Sequence, residues 1–216
     1  MPQLTLAHVL RQLKKLHHPP KTFLDFQTSL QLLVAVILSA QCTDARVNIV
    51  TKTLFKRCRT VRDFAEISQN ELEKLVHSCG TYRMKAKNIR AMAALLIERH
   101  RGNVPQTMEE LTALPGVGKK TAAVVLSAAF DINAFIAVDT HVMRVARRMG
   151  LSRQHDPSKI ALDLMEEAPR KEWRKVTSLL ISHGRAVCTA RNRACDRCVF
   201  REDCPSSWVK GRKDRR

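Results

Sequence analysis

Aromatic residues are scarce in this chain: seven Phe, two Trp and one Tyr among 216 residues, about 5%. A protein that holds single-stranded nucleic acid usually offers several aromatic platforms for stacked bases, so the scarcity argues against that class. Glycine is scarce too, at seven residues, and no Asn-Gly or Asp-Gly pair marks a tight β-hairpin. No stretch alternates apolar and polar residues with a period of two, which removes the usual sign of a half-buried sheet. No apolar run approaches the roughly 18 residues of a membrane-spanning helix, and the longest, Leu32 to Leu38, is far shorter. The opening MPQLTLAHVLRQLKKL is amphipathic and soon basic, unlike a secretory leader. Acidic residues are the last shortage, with 20 Asp and Glu against 38 Lys and Arg and a net charge of +18. An excess of that size makes a polyanion the default partner. With no membrane-seeking segment, nucleic acid is a better candidate than a membrane surface, and the contacts expected are with duplex phosphates.

What is present is helical periodicity. Residues 5–16 predict a first helix, broken by Pro19-Pro20. SLQLLVAVILSA, Ser29 to Ala40, predicts a helix buried on most faces, followed by Gln41-Cys42-Thr43-Asp44 and a helix running to Phe55. Ser68 and Glu71 have capping-box spacing and start a helix that closes at Gly80. In the next helix Ile89, Met92, Ala93 and Leu96 share a face, with Lys85, Lys87 and Arg90 placed elsewhere. Val142, Val145, Ala146 and Met149 form another stripe, and helices over about 157–167 and 171–183 follow. Gly80, Gly102, Gly150 and Gly184 each follow a periodic run, as residues just past a helix end do. There is no internal repeat and no low-complexity linker, and only Lys210 to Arg216 reads as a tail. The expected fold is all-α and two-lobed, with a helical core over 23–133 and a second lobe from 1–22 plus 134–216.

Seven cysteines divide unevenly. Cys42, Cys58 and Cys79 are scattered along helical patterns and read as inert thiols. Cys188, Cys195, Cys198 and Cys204 fall within seventeen residues, spaced x6, x2 and x5. Four thiolates so close predict a metal centre, and the spacing alone leaves a zinc ion held by all four and an iron–sulfur cluster as equal alternatives.

The chain is organised around LTALPGVGKKTAAVVLSAAFDINAFIAVDTH, Leu111 to His141. Thr107 and Glu110 start a short helix near Met108, and Pro115 stops it. Gly116 and Gly118 flank Val117 in a tight turn where positive φ is affordable. From Lys119 the run KKTAAVVLSAAF reads as a buried helix whose N-terminal N–H groups suit a phosphate diester. A lysine amine, from Lys119 or Lys120, could attack the anomeric carbon of a nucleotide, displace the base and leave a Schiff base that permits β-elimination of the 3′ phosphate. That chemistry needs a neutral amine, which burial and the helix start would favour. Asp139 precedes a helix and reads first as its N-cap.

LPGVGKKTA followed by VDTH resembles the helix–hairpin–helix and catalytic aspartate signature of the endonuclease III family of DNA glycosylases. The resemblance spans nearly the whole chain. It implies a bifunctional DNA glycosylase and apurinic/apyrimidinic lyase of base excision repair, acting as a monomer on damaged pyrimidines or abasic sites in duplex DNA bound between two lobes. It makes Lys120 the nucleophile and Asp139 the residue that activates it and stabilises charge on the sugar. Gly116, Val117, Gly118 and Lys119 would grip phosphate, and His141 would line the pocket. Gln41, within LSAQCTD, would fill the space the flipped base leaves. A second wedge in relatives is usually a bulky aliphatic residue before a tyrosine, whereas here Thr81 precedes Tyr82, a departure that puts flipping efficiency and opposite-base preference in question. The four clustered cysteines would hold a [4Fe–4S] cluster that pins a basic loop carrying Arg191 and Arg193 against phosphates. A cytoplasmic protein associated with the nucleoid is expected. A non-catalytic helix–hairpin–helix DNA-binding protein and a glycosylase for alkylated purines are the alternatives.

Overall fold

The computed structural model describes residues 4–18 and 22–209. The Pro19-Pro20 break and the Lys210 to Arg216 tail lie outside the described residues. Among the described residues there are eleven α-helices and no strand, as expected for an all-α fold. They are α1 (Leu6–Leu16), α2 (Ser29–Ser39), α3 (Asp44–Arg57), α4 (Val61–Glu66), α5 (Gln69–Val76), α6 (Tyr82–His100), α7 (Met108–Thr112), α8 (Lys119–Phe130), α9 (Thr140–Met149), α10 (Pro157–Glu167) and α11 (Trp173–Ala186). No helix among the described residues is long and apolar enough to cross a membrane.

Most of these helices begin the same way. Thr5, Thr28, Thr43, Thr60, Ser68, Thr107, Asp139 and Asp156 each accept a first-turn N–H through the side chain. Each such cap contributes about 1 kcal/mol by satisfying a donor the helix cannot. At α4, Thr60 and Asp63 form a complete capping box, with Asp63 accepting the Thr60 N–H at 2.8 Å.

The chain divides into two compact units. One comprises residues 22–134 and the other residues 1–21 with 135–216. In the 22–134 unit α2 is the axis: Leu32 to Leu38 are all buried, against α3, α6 and α8. Burying each large aliphatic side chain is worth about 1.5–3 kcal/mol. The long helix α6 packs α4 and α5 through Ile89, Met92 and Leu96. In the other unit α9 packs on α11, and α1 and α10 close over them around Leu6, Val142, Leu164 and Leu180.

Two glycines depart from their expected places. Gly80 does not close α5, which ends at Val76 and is followed by a Cys79 N–H bond to the Val76 carbonyl at 2.9 Å. Gly184 lies inside α11 rather than past its end. A Cβ there would stand 3.2 Å from Val145 Cγ2 and 3.3 Å from His141 Cβ, so the missing side chain lets α9 and α11 approach closely. Gly102 and Gly150 do sit at helix ends with φ of +80° and +75°.

Candidate functional site

The hairpin forms between α7 and α8. Thr107 accepts the Glu110 N–H at 3.2 Å, and its hydroxyl donates to the Glu110 carboxylate at 2.6 Å. The carboxylate thus answers the capping hydroxyl in this variation on the box. Leu114 and Val117 are buried beneath the turn, which closes through the Val117 N–H on the Leu114 carbonyl at 3.1 Å. Gly116 adopts φ +77°, where a side chain is strained. It also lies against α6: a Cβ there would be 3.0 Å from Asn88 Cβ. Gly118 is different. Its φ of −90° and ψ of 174° are extended, and a Cβ would meet nothing within 4 Å. Only one of the two glycines needs positive φ, and the other leaves open space before the helix start.

Gly118 is the N-cap of α8 and offers no side-chain acceptor to the first-turn N–H groups. Lys119 and Lys120 both project from this turn as exposed side chains. The burial expected of Lys120 is absent, because the first turn of α8 lies at the surface and the buried positions begin at Ala122.

Two further exposed turns belong to the same unit. Gln41 follows the end of α2 with φ +53°, and Thr81 precedes α6 with φ +55°. Left-handed backbone is costly for residues with a side chain, most of all for a β-branched one. The other two non-glycine cases among the described residues, Arg101 and Asp131, end α6 and α8 with backbone bonds to the Leu96 and Leu126 carbonyls. Gln41 and Thr81 close no helix in that way. The Thr81 hydroxyl donates instead to the Gly80 carbonyl at 2.6 Å. The two turns adjoin, since a Cβ on Gly80 would lie 3.5 Å from the Gln41 carbonyl oxygen.

Lys85 ties these turns together. It is 4% exposed, and its Nζ donates to the Leu38 carbonyl at 2.9 Å. Burial pulls the ammonium below its ordinary pKa. The same burial pushes the Cys79 thiol up to about 11, helped by Cys42, and keeps it protonated. Sequence periodicity places Lys85 off the buried face, and the structure corrects this. Its spacing of four residues before Ile89 is the signal that it shares the face of Ile89 and Met92.

In the other unit Asp139 caps α9, with Oδ1 accepting the Val142 N–H at 2.8 Å and the side chain half-buried. His141 follows, its Nδ1 3.1 Å from Arg144 Nη2. Arg144 also donates to the Gly184 carbonyl at 2.9 Å and the Cys188 carbonyl at 3.0 Å. Sequence spacing gives no hint of this arginine, or of Arg148, which donates to the Thr189 carbonyl at 2.7 Å and to Cys188 Sγ at 3.4 Å.

Cys188, Cys195, Cys198 and Cys204 line one cavity, with His183 and Arg148 in its wall. Among the described residues no three His, Cys, Asp or Glu side chains converge on a single-ion site. Burial pushes the Cys198 thiol up to about 11. Arg191 is exposed on the loop between the first two cysteines. Arg193 is turned inward, donating to the Ser206 carbonyl at 2.7 Å, while the Trp208 indole donates to the Arg193 carbonyl at 3.3 Å.

Residues 34–170 match the HhH-GPD superfamily of base excision DNA repair proteins. An endonuclease III from Synechocystis is 49% identical over 201 residues, covering 93% of this chain and 92% of the relative. A solved non-covalent endonuclease III–DNA complex is 41% identical with a TM-score of 0.91, covering 96% of this chain and 97% of that one. A trapped endonuclease III–DNA covalent intermediate, an estranged-adenine complex, is 40% identical with a TM-score of 0.88, covering 98% and 97%. With the hairpin, its lysine pair and the cysteine loop all in place, the chain belongs to the HhH-GPD superfamily of base excision DNA repair proteins and, within it, to the endonuclease III family.

Proposed function

We propose that this chain is a bifunctional DNA glycosylase and apurinic/apyrimidinic lyase that releases oxidised or otherwise damaged pyrimidines from duplex DNA. The observation that carries the reading is the start of α8: first-turn N–H groups without a side-chain cap, open space before Gly118, and the exposed Lys119 and Lys120. A phosphate diester fits that terminus, held by the N–H groups, the helix dipole and Lys119. Lys120 then attacks C1′ of the displaced nucleotide, the base departs, and the Schiff base allows β-elimination of the 3′ phosphate. A solved relative trapped covalently on DNA supports an enzyme–DNA adduct on this path. Asp139, fixed by its capping bond, supplies a carboxylate to activate the amine and to stabilise positive charge on the sugar. Gln41, exposed at the apex of a strained turn, fills the space of the displaced nucleotide. His141 keeps a lining role beside Asp139, and Arg191 reaches for phosphate.

Four thiols line one cavity, as a metal centre needs, and membership of the endonuclease III family favours an iron–sulfur cluster there over one zinc ion. We assign Cys188, Cys195, Cys198 and Cys204 as its ligands, and a [4Fe–4S] cluster there would supply structural cross-linking of the loop. Arg148, donating to Cys188 Sγ and to the Thr189 carbonyl, ties the first of these ligands to α9.

Borohydride trapping tests the reading, on duplexes carrying thymine glycol, an abasic site or undamaged thymine, with Lys120→Ala beside wild type. A covalent adduct on the thymine-glycol duplex that vanishes in the variant is expected. An adduct on the abasic duplex alone would leave a lyase without this base specificity. No adduct anywhere, with binding intact, would make the chain a DNA-binding protein.

A further inference from the structure

Few large apolar side chains are exposed in the 22–134 unit: Ile49 is 60% exposed, Met84 59% and Ile97 37%. Exposure alone singles out none of them, since scattered apolar residues are ordinary on protein surfaces. Place singles out Met84. It sits in the first turn of α6, three residues after Thr81 and four before Asn88, so Met84 and Asn88 share one helix face that begins beside Thr81. At one end of that face is the left-handed Thr81 turn, which adjoins the Gln41 turn. At the other is Asn88, which lies against Gly116 of the hairpin. Helical side chains lean toward the N-terminus of their helix, so Met84 leans toward Thr81. The turn is also anchored, because the next residue, Lys85, is buried and bonded to the Leu38 carbonyl at 2.9 Å.

We propose that Met84 is a wedge that holds the stack open: with the duplex held by the hairpin, its thioether side chain enters the base stack beside the displaced nucleotide. This rests on the DNA-glycosylase reading above. Proteins that open a stack push apolar side chains, methionine among them, between base steps. Threonine at 81 has little apolar volume for that task, and its hydroxyl is spent on Gly80. Methionine is long and adaptable, so it fits against any of the four bases and discriminates weakly among opposite bases.

The test uses the full-length protein with its cluster loaded, comparing wild type, Met84→Ala, Met84→Leu and Ile97→Ala. Single-turnover base release is read on a thymine-glycol duplex and borohydride trapping on an already abasic one. Met84→Ala should slow base release by about ten-fold or more, the loss of one buried apolar side chain. Trapping on the abasic duplex should stay within about two-fold of wild type, because no base has to leave the stack. Met84→Leu should restore base release, and Ile97→Ala should match wild type. Base release unchanged in Met84→Ala overturns the proposal, and so does a parallel loss on both duplexes, which would make Met84 a general DNA contact. If the wild type itself trapped nothing, the glycosylase reading would fail separately. A 2-aminopurine placed beside the lesion would still report unstacking on binding, and its brightening must fall in Met84→Ala.

Discussion

The Lys85 ammonium donates to the Leu38 carbonyl across 2.9 Å, and this bond joins the start of α6 to the end of α2. The last carbonyls of a helix lack intrahelical partners and sit at the negative end of its dipole, so a cation there is favourable. Lys85→Met keeps the length and apolar contacts of the side chain and removes the donor. Two effects then oppose one another: relief from burying a charge, and an orphaned buried carbonyl that costs about 1–3 kcal/mol. The helix-end position favours the second, and a net loss of about 1 kcal/mol is expected in urea unfolding. Unchanged or raised stability would mean that the ammonium is merely tolerated.

The two hairpin glycines should fail in opposite ways. Gly116→Ala puts a methyl at φ +77° and 3.0 Å from Asn88 Cβ, both unfavourable, so a loss of about 1–3 kcal/mol is expected. Gly118→Ala meets nothing within 4 Å and needs no unusual backbone. It should leave the melting temperature unchanged or slightly higher while weakening salt-sensitive duplex binding, because its methyl enters the space in front of the α8 N–H groups. If Gly118→Ala bound duplex as tightly as wild type, that space would have no role in holding phosphate.

Much of this was written locally. The seven-residue apolar run of α2 could only be a buried helix, and Thr107 and Asp139 announced helix starts through their own side chains. The hairpin and the cysteine loop were visible as spacing, although the chemistry of Lys120 rested on resemblance. What escaped depended on partners distant in sequence. Gly184 is small because of Val145 and His141 on α9, and Lys85 is buried because Leu38 offers a carbonyl. Arg144 and Arg148 reach some 40 residues along the chain to hold the loop at Cys188 and Thr189. Helix α4 escaped for a local reason: it is six residues long, and its box uses Asp63 where Glu is the more familiar sign.

Asp63 predicts a response to acid. Its carboxylate accepts the Arg59 N–H at 2.7 Å and the Thr60 N–H at 2.8 Å, and these bonds hold its pKa below the usual carboxylate value. A carboxyl depressed in the folded state stabilises it above the unfolded pKa, and that contribution disappears as pH falls through the folded pKa. The window therefore opens near pH 4 and extends below it. Asp63→Asn should lower stability at neutral pH and flatten the acid limb of the pH–stability curve. An acid limb identical to wild type would show that the box contributes nothing to acid sensitivity.

Asp139 carries two tasks that substitution can separate. Its Oδ1 accepts the Val142 N–H at 2.8 Å, a bond that asparagine can still accept and alanine cannot. Asp139→Asn should therefore keep stability within about 0.5 kcal/mol, whereas Asp139→Ala should lose about 1 kcal/mol with its cap. Catalysis should divide differently, because the proposed role needs a negative charge. Both variants should slow base release by about a hundred-fold or more while binding damaged duplex like wild type. Single-turnover base release and thermal melts on the same preparations decide the matter. An asparagine variant as fast as wild type would reduce Asp139 to a helix cap and move the search for the activating group elsewhere.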